Sequence, residues 1–329
     1  MFIAAQRRKP KIVIVSPALA RANNGNWQTA RRYARMLSNT CSVRILQEWD
    51  GNQTDDVLIA LHARRSYASI AAWHAARGSR GLVVVLTGTD LYRDIQQDSQ
   101  AQQSLQWAAR LVVLQAAGLA ELPIALRDKA QVLFQSTTTR QTLAKAKRRI
   151  RAVMVGHLRA EKSPQTFFEA AALLADHTDL ELRHIGGEHD PALAQQAHHT
   201  AARYANYQFL GAQSHEQARR YIQRSHVLVH SSVMEGGAHV IMEAICSGVP
   251  VLASRIAGNI GMLGEDYAGF FTVGDAHDLA SLLLKFRNEP VFVGRLLEQC
   301  AARAPIFSPA RERSGLITIV QDLILKEPS

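Results

Sequence analysis

The chain has 329 residues, 47% of them hydrophobic and 20% charged, room for two ordinary domains that each bury a core. Three cysteines without a CxxC pair argue against a disulfide framework or a zinc site and suit a reducing cytoplasm, and no apolar run nears the ~18 residues of a membrane span. A formal net charge of +10 points to anionic partners: phosphorylated small molecules, lipid or nucleic acid.

The first ten residues, MFIAAQRRKP, put a short apolar start before the basic cluster, the reverse of a secretory signal, and read as a loose tail. Beyond them short apolar runs alternate with amphipathic segments, the pattern of an α/β chain with parallel sheets. Strands are expected at Ile12–Ser16, Val43–Leu46, Val57–His62, Leu82–Thr87 and Leu111–Leu114, with helices over Trp27–Leu37 and Ser66–Arg77. Residues 138–151 then separate two strand-like runs with threonines and basic residues. Nothing there is Gly- or Ser-rich, so a short hinge is expected rather than a tether. The run Lys145, Lys147, Arg148, Arg149 and Arg151 has no interleaved aromatics and reads as a solvated linker, not a nucleic-acid surface.

A second series follows, with strands at Ala152–Leu158, Leu180–Ile185, Tyr207–Leu210, Val227–Ser231 and Val251–Ala253 and helices near 164–174, 192–205, 214–224 and 237–247. The last pattern, Pro309–Leu325, is a helix with Leu316, Ile319, Val320 and Leu323 on one face. The expected organisation is two doubly wound, Rossmann-like domains, 1–145 and 146–308, with 309–329 packing back on the first. Open α/β sheets bind ligands beyond the carboxyl ends of their strands, so functional residues should sit just after strands.

The strongest signal is HSSVMEGGAHVIMEAICSGVPVLAS, residues 230–254. A strand ends, a glycine-containing loop follows, and a helix runs from about Gly237 to Ser247. Gly236, Gly237 and Ala238 allow close backbone approach, and the helix start beside His239 offers N–H groups to a diphosphate. Glu235 precedes this helix and Glu243 lies within it, eight positions on, or roughly 10–12 Å along a helix. That separation suits one carboxylate on sugar hydroxyls and the other on a ribose diol.

This ExxxxxxxE pattern resembles the signature of retaining GT-B glycosyltransferases of the family-4 type, and the layout is similar from about residue 11 onward. The resemblance implies the GT-B fold, with Glu235 on the donor sugar and Glu243 on the ribose. It further implies that Lys162, in GHLRAEKSP at 156–164, binds the donor diphosphate. The family's arginine after the glycine is replaced by His157, with Arg159 two places on as the candidate substitute. The Ile185-Gly186-Gly187 and Phe209-Leu210-Gly211 turns match family turns near the nucleobase. More narrowly, TGTDLYRDI at 87–95, HLRAEKSP, and MEGGAHVIMEA followed by SRIAGNIGMLGEDYAG resemble the selenosugar synthases of selenoneine biosynthesis. That resemblance implies transfer from UDP-N-acetylglucosamine or UDP-glucose to selenophosphate, forming a carbon–selenium bond.

In the first half, Ala22-Asn23-Asn24-Gly25-Asn26 opens a helix and suits phosphate or acceptor, without the GxGxxG spacing of a dinucleotide fold. Thr87-Gly88-Thr89-Asp90 is a second strand-end turn offering hydroxyls and N–H groups. His62 ends a strand, followed by Arg64 and Arg65, cations that an anionic acceptor would want; His62 is either a base or a hydrogen-bonded structural residue. No metal or separate cofactor is expected: Asp55-Asp56 reads as a turn, and His189 between Glu188 and Asp190 lacks zinc spacing. The expected partners are a UDP-sugar and a small anionic acceptor such as selenophosphate, with no nucleic acid and no membrane insertion. The alternatives are a conventional O-glycosyltransferase acting on a lipid or small alcohol, and a non-catalytic nucleotide-sugar binder.

Overall fold

In a computed structural model, which describes residues 8–19, 25–146 and 148–325, the chain forms two compact units. The first comprises residues 1–135 with 309–329, the second 136–308.

The sheet of the first unit has six parallel strands: β1 (Lys11–Val15), β2 (Ser42–Leu46), β3 (Val57–Leu61), β4 (Leu82–Leu86), β5 (Arg110–Val113) and β6 (Ala130–Val132). Their order is β2-β1-β3-β4-β5-β6, so the chain reverses direction across the sheet between β1 and β3. Every residue of β3 (VLIAL) and β4 (LVVVL) is buried, as expected of parallel strands covered on both faces. Alternation sorts the two layers. Ile12 and Ile14 face Tyr33 and Leu37 of the helix Gly25–Leu37, whereas Val13 and Val15 face the layer containing Trp73 and Leu105.

The helix Pro309–Leu325 inserts Leu316, Ile319 and Val320 into the first of these layers. Arg32 Nε donates to both oxygens of the buried Glu312 at 2.9 Å, tying that helix to Gly25–Leu37.

The second unit also carries six parallel strands: β7 (Ile150–Val155), β8 (Leu180–Ile185), β9 (Tyr207–Phe209), β10 (Val227–His230), β11 (Val251–Ser254) and β12 (Phe270–Phe271). Their order, β12-β11-β10-β7-β8-β9, is that of a dinucleotide-binding sheet, with the switch point between β7 and β10.

The units divide ten residues before the expected boundary at 145. The segment after Gln135 is bound to the second unit and is not a solvated hinge. Arg140 donates its backbone N–H to the Cys246 carbonyl at 2.8 Å, and the buried Arg219 holds both the hydroxyl and the carbonyl of Thr138. His226 Nε2 reaches the Ala146 carbonyl at 2.8 Å, and Lys145 reaches that of Gln223. The edge strands β6 and β12 have only three and two residues, too short to show as apolar runs. The helix expected over 237–247 is shorter, His239–Ile245, because the chain through Ala238 is still extended.

Candidate active site

Three loops converge at the carboxyl ends of β7, β8 and β10, and hydroxyl-to-carbonyl bonds fix their registry. Ser231, just past β10, donates its hydroxyl to the carbonyls of Lys162 (2.9 Å) and Ser163 (3.0 Å) in the loop after β7. Val233 N–H adds a bond to the Glu161 carbonyl at 2.9 Å. Ser163 itself has φ +44°, a left-handed conformation uncommon outside glycine, immediately before Pro164 opens the next helix. This clamp sets the position of Lys162, whose stem passes over Gly156.

There Lys162 Nζ makes an ion pair with Glu235 Oε1. The same carboxylate oxygen accepts from the Ser232 hydroxyl at 3.0 Å and lies 3.4 Å from His230 Nε2. Burial alone would raise the Glu235 pKa, but the Lys162 charge and the His230 contact outweigh it and hold the carboxyl below its ordinary range. Behind it, a Cβ on Gly258 would come within 2.0 Å of the Glu235 carbonyl oxygen, so only glycine lets the two segments pack.

Glu243, on the helix His239–Ile245, is buried and accepts a 2.6 Å hydrogen bond from the half-exposed His215. His215 is the first residue of the helix His215–Arg224, whose start is fixed by a reciprocal capping box between Ser214 and Gln217. Gly236 and Ala238 are buried, while Gly237 and His239 are partly exposed at the turn into the short helix.

The glycines after β8 and β9 form the adjoining wall. Gly186 donates its N–H to the Gly211 carbonyl at 3.0 Å, and a Cβ on Gly186 would strike the Gly156 carbonyl at 1.9 Å. Gly211 has φ +64°. His157 is occupied structurally: its Nδ1 accepts the Gly187 N–H at 2.9 Å and its ring lies 4.4 Å from that of His189. Burial, then the neighbouring His189, Arg159 and Lys162, lowers its pKa to about 4, so the ring is neutral near pH 7. Arg159 is exposed and turned to His189 Nδ1 at 3.0 Å, not into the Lys162–Glu235 pair.

In the first unit, Asn24 lies outside the described residues; Gly25 and Asn26 begin the helix Gly25–Leu37. The turn at 87–90 does not present its N–H groups outward as expected. The buried Asp90 carboxylate takes those of Thr87 and Gly88, both at 2.9 Å, and that of Ala63 as well. Thr89 is engaged too, its hydroxyl 3.0 Å from His62 Nε2. His62, buried at φ +74°, accepts the Arg65 N–H on Nδ1, which makes it a strand-end residue held on both ring nitrogens. Burial lowers its pKa against the opposing pull of Asp90. A separate groove of about 620 Å³ opens where β1, β2 and β3 end, lined by Pro17, Gln47, Glu48, Arg65, Ala68 and Ser69.

Asp55 and Asp56 are structural: Asp55 binds Arg44 and the Trp49 indole, and Asp56 takes the Lys11 N–H. Among the described residues no cluster of three or more His, Cys, Asp or Glu side chains could hold a metal ion, and no helix is long and apolar enough to cross a membrane. Sequence reasoning passed over His230 and His215. His230 had a local signal, as the strand-end residue five places before Glu235; His215 had none, being 28 positions from Glu243.

The family model described as glycosyl transferases group 1 matches residues 135–305, more than half of the chain. Among solved structures the chain is similar to the sucrose-phosphate synthase of Thermosynechococcus elongatus at 15% identity and a TM-score of 0.77, over 97% of this chain and 100% of that one. It is similar to HepE of Anabaena, solved with UDP and glucose, at 14% identity and a TM-score of 0.73, over 95% and 100% of the two chains. For a glycosyltransferase from Rickettsia africae the figures are 12%, 0.74, and 97% and 100%. At these identities the likeness establishes the fold, GT-B.

Proposed function

The chain belongs to the glycosyl transferases of group 1, and from that membership we propose a hexosyltransferase that uses a UDP-sugar donor and passes the sugar to selenophosphate. The observation that carries the donor half is the Lys162–Glu235 pair, clamped by Ser231 at the switch point between β7 and β10. In this reading both partners change hands when the donor binds. Lys162 turns to the β-phosphate, and Glu235 takes the sugar hydroxyls. Glu243 takes the ribose diol, with its other oxygen kept in place by His215. Gly186, Gly211 and the Gly236–His239 turn complete the donor site. HepE, solved with UDP-glucose, supports UDP as the nucleotide.

The bond from the anomeric carbon to the β-phosphate oxygen breaks, and its electron pair leaves with UDP. A carbon–selenium bond forms from a lone pair of the selenophosphate selenium. The nucleophile is already anionic, so no general base is required, consistent with a His62 whose two ring nitrogens are both engaged. The demand falls on the leaving group, where charge grows and a fixed cation lowers the barrier. Lys162 is assigned that role. Arg159 would have to leave His189 to share it. On the acceptor side, Arg65 in the groove at the ends of β1–β3 is the cation suited to an anionic acceptor.

The test is incubation with UDP-N-acetylglucosamine or UDP-glucose and selenophosphate, followed by mass spectrometry. A sugar product carrying the selenium isotope pattern, with release of UDP, is expected. UDP release only with an alcohol or lipid acceptor would favour conventional O-glycosyl transfer.

A further inference from the structure

On one face of the second sheet, the packing departs from what its fold requires. Arg151 of β7 lies in register with Glu181 of β8, and Arg183 follows two residues later on the same face. The helix His215–Arg224 covers this face. It buries Ala218 and Ile222, but beside them it brings Gln217, Arg220, Tyr221 and Arg224, leaving a groove of about 420 Å³. Four guanidinium groups line it.

Their compensation is incomplete. Glu181, beneath the groove, is shared: Arg151 Nε donates to one oxygen at 3.2 Å, and Arg183 Nε and Nη2 donate to the other at 3.0 and 2.6 Å. Arg220 gives Nε to Glu216 at 3.1 Å, but Arg140 claims the other oxygen of that carboxylate. Arg224 has no carboxylate partner among the described residues. The side chains of Arg151 and Arg183 are only 33% and 23% exposed, so water screens them incompletely and their mutual repulsion persists. Glu181 meanwhile holds both in fixed orientation, with N–H groups left to spare.

We propose that this groove is a second anion site, separate from the donor site, that binds a compact, multiply charged phosphate compound. Arginine forks match phosphate oxygens in pairs, which lysines do not. The volume lies within the range of small-molecule pockets, and Tyr221 is the single aromatic lining it, too few to stack a nucleic-acid strand.

The test is calorimetric titration with tripolyphosphate at about 0.15 M salt and saturating UDP, so that the donor site is filled. One tripolyphosphate should bind per chain. The variant Arg183→Gln/Arg224→Gln should bind it at least about tenfold more weakly, with UDP affinity unchanged. Arg203→Gln/Arg295→Gln, which removes equal charge from exposed positions outside the groove, should bind like the parent. If the first pair fails to fold, Arg224→Glu alone, at an exposed position, should show the same loss. No saturable binding, binding abolished by UDP, or equal weakening in both double variants would overturn the proposal.

Discussion

Replacing Lys162 by alanine tests the reading at its centre. Two effects are expected, and the structure separates them. The first is on the resting site: Glu235 loses the larger of the contacts that hold its pKa down, while Ser232 at 3.0 Å and His230 at 3.4 Å remain. Because the folded pKa of Glu235 is depressed, its contribution to stability is present above the ordinary carboxylate range and lost as pH falls through the folded value. Lys162→Ala should therefore lower stability at pH 7 by roughly 1–3 kcal/mol, with the deficit shrinking in acid. The second effect is on turnover. Charge grows on the β-phosphate only as the glycosidic bond breaks, so a missing cation should cost about 10²–10³ in kcat, or about 2.7–4 kcal/mol, with a smaller change in UDP affinity. Lys162→Arg should recover part of this, since a planar fork does not reproduce a compact ammonium. Arg159→Ala, whose guanidinium rests on His189, should lose less than about tenfold. The assay is initial-rate UDP release at saturating donor and acceptor, beside thermal melts of each variant. Parent-rate turnover by a folded Lys162→Ala would refute the assignment of leaving-group stabilisation.

Glu243→Ala should weaken UDP binding about ten- to hundredfold by calorimetry, because a carboxylate hydrogen bond to the ribose is shared by ground and transition states; unchanged affinity would remove Glu243 from the site. Activity should persist in excess EDTA, and complete loss with recovery on adding Mg²⁺ or Mn²⁺ would reveal a metal requirement. Burial lowers the pKa of both His157 and His184 to about 4, so both are neutral in the folded state. Depressed folded values mean stability is fully present above about 6.5 and declines as pH falls toward about 4, so the melting temperature should drop between pH 7 and 5; a flat profile would contradict it.

Much of the fold was legible because parallel strands buried on both faces are continuous apolar runs rich in β-branched residues. IVIV, VLIAL and LVVVL admit few other readings. What escaped was short or depended on partners. Strands of two and three residues leave no periodic trace. The boundary was displaced for a different reason. Residues 136–146 have the composition of a linker, but their carbonyls and N–H groups are claimed by Arg219, His226 and Cys246, 80 to 106 positions away. Composition describes what a segment can do alone; bonding to distant groups decides which unit it joins.

The site divides along the same line. Glu235 and Glu243 stood out by their eight-residue spacing around a strand-end turn, and Lys162 by the family resemblance of its turn, whereas the contact of His215 with Glu243 exists only once the β9–β10 crossover is folded. The turn at 87–90 was read too simply, and its correction was available locally. A strand-end turn offers N–H groups to a ligand only when no short side chain of its own satisfies them. Asp90 stands two and three residues after Gly88 and Thr87 and reaches back to accept both N–H groups, as the acid of a capping box reaches back three residues. That carboxylate also takes the Ala63 N–H, so the turn is a buried strut between the ends of β3 and β4. In the proposed reading the cation for an anionic acceptor therefore comes from elsewhere, and Arg65, whose own N–H is spent on His62 while its side chain lines the open groove, is our candidate among the described residues.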